Sequence, residues 1–192
     1  MRLLLTRHGQ SRWQTEGSIA GGDSPLSPLG ELQAHRLGVH LKRYETVDRI
    51  VASHLKRAHK TATIVASYLE MDLTVNPQLR EFESDAAGRA PLPSSFWNPE
   101  PVEAPNPAHR GFLERVRGAL CEILPDEEAD ETILVVAHGG TVGSILRVLL
   151  GATTQRLWTA NTGLHLLEWR EAYWLVHYVN NLEHLPRPLR SW

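Results

Sequence analysis

Arg7 and His8 stand side by side in LLLTRHGQS (3–11), with Gly9 behind them. A second histidine, His138, lies in VVAHGG (135–140), and Arg57 in SHLKRAHKTA (53–62). Imidazole is a competent nucleophile near neutral pH, so one of these histidines could attack phosphorus and carry the group covalently. Two guanidiniums can hold phosphate oxygens in forked geometry, and glycines at 9, 139 and 140 let backbone amides approach an anion closely. The other imidazole, with the arginines, would stabilise charge on the equatorial oxygens of a transferring phosphoryl group. An acid is then needed for the leaving alkoxide. Glu81 or Glu83, in LREFES (79–84), is placed to supply it. A lone Arg-His-Gly matches by chance, so the elements that carry these residues decide whether they meet.

Three apolar runs behave alike. LLLT (3–6) ends at Arg7, RIVAS (49–53) leads within a few residues to Arg57, and ILVVA (133–137) ends at His138. Each is short, continuous and rich in branched aliphatics, which predicts strands buried on both faces of a parallel sheet. Helical patterns alternate with them. Ser27-Pro28 supplies an N-cap and a first-turn proline, after which Leu29, Leu32, Leu37 and Leu41 fall near one face. Ser53 is placed to cap a second helix, with Ala58, Ala62, Val65 or Ala66, and Leu69 at helical spacing; Phe112, Val116, Leu120 and Leu124 mark a third. A fourth runs from about Thr141 to Leu150, with Gly151 as its C′ residue. LHLLEWREAYWLVHYV (164–179) reads as two strands about a turn near Arg170 to Ala172, a hairpin at or near a sheet edge. The alternation predicts an α/β fold. In such sheets ligands bind outside the carboxyl ends of the strands. Arg7, His8, Arg57 and His138 all fall at those ends or in the first turn that follows, which describes a phosphoryl pocket.

Composition narrows the class. A chain of 192 residues fits one full-sized domain. The formal net charge of −2 leaves no basic field to wrap nucleic acid, so anion binding must be local. Cys121 is the only cysteine, which excludes an internal disulfide and a thiolate metal cage; beside Leu120 in a helical pattern, it is expected to be a small core residue. MRLLLT is too short for a signal-peptide core and no run is long enough to span a bilayer, so a cytoplasmic, reduced location is expected. From Ala86 to Pro107 the chain reads AAGRAPLPSSFWNPEPVEAPNP, which predicts a loop or lid with Phe96 and Trp97 either over substrate or anchoring it. His35, His40, His165, His177 and His184 share no ligand spacing and are read as surface or core residues. KRAHK (56–60) lacks an aromatic stacking platform and reads as a solvated face beside Arg57.

Arg7-His8-Gly9 after an N-terminal strand, SHLKRAHKTA, LRE (79–81) and VVAHGG, in that order, resemble the histidine phosphatase superfamily, also called phosphoglycerate-mutase-like. SPLSPLG (24–30) and Asn161-Thr162 add to the likeness, which runs from residue 3 to about residue 180. The resemblance implies a single-domain, doubly wound α/β/α sandwich with a mostly parallel central sheet, and neither metal nor other cofactor. His8 would become phosphohistidine. Arg7, Arg57 and His138 would surround the phosphate with the Gly139 amide, and Glu81 would be the acid and later the base. Gln14 and Gly21 are the other implied phosphate contacts, although Gln14 stands where many members have Asn. Gln10 replaces a frequent Glu, and the Gly-x-Trp-Glu-Gly-like stretch of many members is missing after LREFES.

Three functions are compatible with these residues: phosphomonoester hydrolysis, phosphoglycerate mutase activity, and a non-catalytic phospholigand module. Binding alone does not require a nucleophile and an acid together. A mutase needs extra cations, and between Glu81 and Phe112 there are only Arg89 and Arg110, with His109. The expectation is therefore a phosphatase acting on a small phosphorylated metabolite, without nucleic-acid or membrane partners, and with a homodimer as the candidate assembly.

Overall fold

A computed structural model describes residues 1–17, 23–82, 107–124, 129–151 and 157–192. Six strands form one sheet in the order β3-β2-β4-β1-β5-β6. They are β1 (Arg2–Arg7), β2 (Arg49–Ala52), β3 (Leu73–Val75), β4 (Thr132–Ala137), β5 (Leu164–Arg170) and β6 (Tyr173–Asn181). The first four run parallel, and β5 pairs antiparallel with both β1 and β6. The helices are α1 (Arg12–Glu16), α2 (Pro28–Tyr44), α3 (Lys56–Leu69), α4 (Pro107–Ile123) and α5 (Gly139–Leu149).

Alternation of side chains explains the unbroken apolar runs. Leu3, Leu5, Ile133 and Val135 face one layer with Phe112 and Val116 of α4 and Val142 and Ile145 of α5. Leu4, Leu134, Val136 and Ile50 face the other, against Leu37 and Leu41 of α2 and Ala62 and Val65 of α3. Both faces of β1 and β4 are therefore dry, and the result is the expected three-layer α/β/α sandwich. The hairpin reverses at Glu171 and Ala172, and β6 forms the edge. Among the described residues no helix is long and apolar enough to cross a membrane.

Local signals hold in part. Ser27 caps α2, accepting from the Gly30 amide at 3.1 Å, with Pro28 first in the helix. Leu32 is exposed, however, and the buried face of α2 is built from Gly30, Gln33, Ala34, Leu37, Gly38 and Leu41. A polar Gln33 takes the inward position because its amide bonds to backbone: Oε1 accepts from the Gln10 amide, and Nε2 donates to the Leu189 carbonyl. Ser53 is not the cap of α3; Leu55 holds that place, and the Ser53 hydroxyl is engaged elsewhere. Cys121 is exposed, contrary to expectation, because Leu120 and Ile123 already take the inward face of α4. Gly151 has φ 62°, as a C′ residue should.

The loop after β1 lies so close to α2 that a Cβ on Gly9 would come within 2.3 Å of the Gly30 carbonyl oxygen. Only glycine permits that approach, which seats His8 over the sheet.

Candidate active site

His8 directly follows β1, and its amide donates to the Ala137 carbonyl at 2.9 Å, so the two central strands fix its backbone together. Its ring is almost wholly buried. Nδ1 lies 2.6 Å from the Gly9 carbonyl oxygen. A carbonyl only accepts, so Nδ1 carries the proton and Nε2 keeps its lone pair. Arg57 Nε donates to that Nε2 at 3.1 Å. Burial, then Arg7 and Arg57, push His8 well below the ordinary histidine value, despite the opposing Gly9 bond. The resting ring is neutral, and its one lone pair meets Arg57 in a cationic site.

Arg7 ends β1, and its Nη1 donates to the Thr159 carbonyl at 2.9 Å. Its Nε is buried and makes no hydrogen bond among the described residues. His138 caps α5 at the end of β4, with its ring centre 5.2 Å from that of His8. Ser53 Oγ occupies its Nε2 at 2.9 Å, while Nδ1 is buried and has no partner among the described residues. Glu81 completes the group. One carboxylate oxygen accepts from the Phe82 amide at 3.0 Å, the other from the Gly140 amide at 3.2 Å. The same carboxylate opposes the effect of burial, which lowers both Arg7 and Arg57.

Several supports escaped the sequence reading. Arg115 of α4 and Thr141 of α5 both donate to the Arg80 carbonyl, at 2.8 and 3.1 Å, and so hold the segment that presents Glu81. Thr61 accepts from the Gly9 amide at 3.1 Å and donates to the Arg57 carbonyl at 2.7 Å. Asn161, fully buried, donates to the His8 carbonyl at 3.0 Å. Next to it Thr162 is held at φ 55°, an uncommon conformation for a β-branched residue, and its amide donates to the Arg7 carbonyl at 3.0 Å. Only Asn161-Thr162 carried a signal, as part of the family-like turn.

Arg7, His8, Arg57, Glu81, His138 and Gly139 thus converge. Gln14 does not join them as a free donor. Its Nε2 donates to Asn161 Oδ1 and the Trp192 carbonyl, and its Oε1 accepts from the Ser11 amide. Gln10 is likewise structural, accepting from the Ser27 hydroxyl at 2.8 Å. Lys56, His59 and Lys60 are exposed and line an open cleft of about 500 Å³ with His54 and Glu31. His165 and His184 are buried and bonded to the Asn180 amide and Thr162 hydroxyl respectively, and His177 pairs with Glu168. Gly21, Glu83, Arg89, Phe96, Trp97, nearly all of the 86–107 loop and the His109 side chain lie outside the described residues.

Gly140 sets the reach of the Glu81 side chain. A Cβ there would stand 2.5 Å from Glu81 Oε1, the end of a flexible side chain that can swing away. Gly140→Ala is therefore expected to leave the unfolding midpoint nearly unchanged. Turnover of alkyl phosphates should fall about 100-fold, the scale of a 1 Å misplacement. Urea unfolding and kcat on a single alkyl phosphate check the two halves.

A mostly parallel sandwich with paired histidines, paired arginines and a glutamate at the strand ends defines a phosphoryl-transfer enzyme of the phosphoglycerate-mutase-like class. The chain belongs to the histidine phosphatase superfamily (branch 1), whose model matches residues 3–182. It is similar to the "Putative phosphoserine phosphatase 2" of Hydrogenobacter thermophilus, 31% identical over 199 residues, covering 95% of this chain and 97% of that one. The "Probable phosphoglycerate mutase GpmB" of Yersinia enterocolitica is 29% identical over 211 residues, covering 98% and 96%. Among solved structures, Bacillus stearothermophilus YhfR aligns with a TM-score of 0.74 at 25% identity, over 95% and 98% of the two chains. The phosphoserine phosphatase of Entamoeba histolytica, in complex with 3-phosphoglyceric acid, aligns at 0.75 with 21% identity over 96% and 99%, a likeness of fold.

Proposed function

We propose that the protein hydrolyses a small phosphate monoester through a phosphohistidine on His8. The observation that carries this reading is the proton placement on His8: Gly9 takes Nδ1, so Nε2 keeps a lone pair among Arg7, Arg57 and His138. Nε2 attacks phosphorus in line, and the bond to the ester oxygen breaks as Glu81 delivers a proton to it. The guanidiniums of Arg7 and Arg57 hold the equatorial oxygens, with the Gly139 amide at the start of α5. Glu81, now ionised, takes a proton from water, whose oxygen attacks phosphorus and releases His8. No step calls for a metal.

Mutase activity is the second reading, favoured by the printed name of the Yersinia relative. A mutase would return the phosphoryl group to a bound sugar acid in place of water. The deciding experiment supplies 3-phosphoglycerate with catalytic 2,3-bisphosphoglycerate and follows free phosphate and 2-phosphoglycerate together. Phosphate release without interconversion is expected; fast interconversion with little phosphate would overturn hydrolysis. A panel of phosphorylated amino acids, sugar acids, sugars and nucleotides then identifies the substrate. The relatives' names make phosphoserine and phosphoglycerate its first members.

A further inference from the structure

Ser53 is fully buried, and its amide donates to the Val136 carbonyl at 3.0 Å, which continues the β2–β4 pairing one residue past Ala52 and Val136. That bond sets its hydroxyl 2.9 Å from Nε2 of His138, two residues after Val136 and just past the end of β4. The Leu55 amide also points at Ser53 Oγ, at 3.3 Å. A hydroxyl has one proton to give and two lone pairs to offer. The amide takes a lone pair, so among the described residues the one acceptor left for the hydroxyl proton is His138 Nε2. Were the ring proton on Nε2 instead, the hydroxyl proton would be buried without an acceptor. Nδ1 would then also turn a lone pair toward phosphate oxygens.

We propose that Ser53 is a positioning residue that sets the tautomer of His138: its Oγ–H donates to Nε2, which keeps the ring proton on Nδ1 as the donor to a phosphoryl oxygen. Nδ1 is the ring nitrogen left for that contact, being buried and unpartnered among the described residues. The placement matters because the ring has a single proton to place. Burial first, then His8, Arg57, Arg7 and His54, hold His138 well below the ordinary histidine value. Two neutral histidines are thereby locked in the same sense by different means. A carbonyl accepts from Nδ1 of His8 and frees its Nε2 to attack, whereas a hydroxyl donates to Nε2 of His138 and makes its Nδ1 donate.

The inference rests on the phosphate site proposed above, but its first readout needs no substrate. Nitrogen-15 spectra of histidine-labelled protein should show His138 protonated at Nδ1 and bare at Nε2. In Ser53→Ala the proton should move to Nε2, the form free imidazole side chains favour. Inorganic phosphate, followed by chemical-shift titration, should bind about 10- to 100-fold more weakly, the scale of one hydrogen bond to a charged group. Ser53→Thr keeps the hydroxyl and should restore both tautomer and affinity. A parent spectrum with the proton on Nε2 overturns the proposal whether or not any variant folds. So does an affinity loss in Ser53→Ala with the tautomer unmoved, or a moved tautomer with affinity unchanged. Failure of the parent to bind phosphate at all would instead remove the functional reading and leave the tautomer assignment standing.

Discussion

Replacing His8 by Ala is expected to abolish covalent labelling and to lower turnover by at least about 10⁴-fold, as loss of a nucleophile that acts as one unit with its acid should. Brief exposure to substrate labelled in the phosphoryl group, an acid quench kept short, and peptide mapping locate the phosphoryl group. An acid-labile, base-stable label on the peptide containing His8 is the expected result. The same label on the peptide containing His138 would reverse the assignment. Geometry argues for His8: its Nε2 lone pair accepts at 3.1 Å from Arg57 Nε, a group that bound phosphate would draw to itself, while the Nε2 of His138 is held by the fully buried Ser53 hydroxyl. The pH profile supplies a further check. Burial lowers the His8 pKa first, aided by Arg7 and Arg57, so the free enzyme keeps its nucleophile unprotonated below the ordinary histidine range. The acid limb of kcat/KM should therefore lie below about pH 6.5, the ordinary value. Activity falls there because protonation fills the attacking lone pair.

Glu81→Gln should slow the phosphoryl-transfer burst about 10²- to 10⁴-fold for an alkyl phosphate, the usual worth of positioned proton transfer. For p-nitrophenyl phosphate the burst should barely change, since nitrophenolate leaves without a proton. Leaving-group departure then leaves the carboxylate that activates water, so steady-state turnover should slow for every substrate. Pre-steady-state bursts separate the two roles. Equal slowing for both leaving groups would show that Glu81 is not the acid. Glutamine keeps the side chain's shape and can still accept from the Phe82 or Gly140 amide, so a general collapse of the site would not mimic the expected pattern.

Arg7, His8 and His138 were legible because each ends a run that is apolar on both faces. Such runs announce central parallel strands, and the rule for ligand position does the rest. The late hairpin was legible as two strands about a turn near Arg170 to Ala172. What escaped depends on tertiary geometry that no period encodes. Ser53 looked like a helix cap because Ser before a helical pattern usually is one, yet the parallel neighbour β4 puts His138 within its reach. Leu32 and Cys121 were assigned inward by spacing, and both point out because Gln33, Ala34 and Ile123 already fill the inward faces. Arg115 gave no signal at all, since its work is done on carbonyls some 35 residues away in sequence. Gln14 departs from the family's Asn and is tied instead to Asn161 and Trp192.

The placement of β1 also governs when the molecule can form. Its partners in the sheet are β4 and β5, so the first strand made must wait for residues 132–137 and 164–168 before either edge is paired. Even then the turn beneath His8 is incomplete, because Asn161 and Gln33 take bonds from or to Ser191, and Gln33 also bonds to the Leu189 carbonyl. Until those residues are made Leu3, Leu4 and Leu5 stay uncovered, a long exposure for a run with strong strand character. His8 is thus set in place only by residues made long after it.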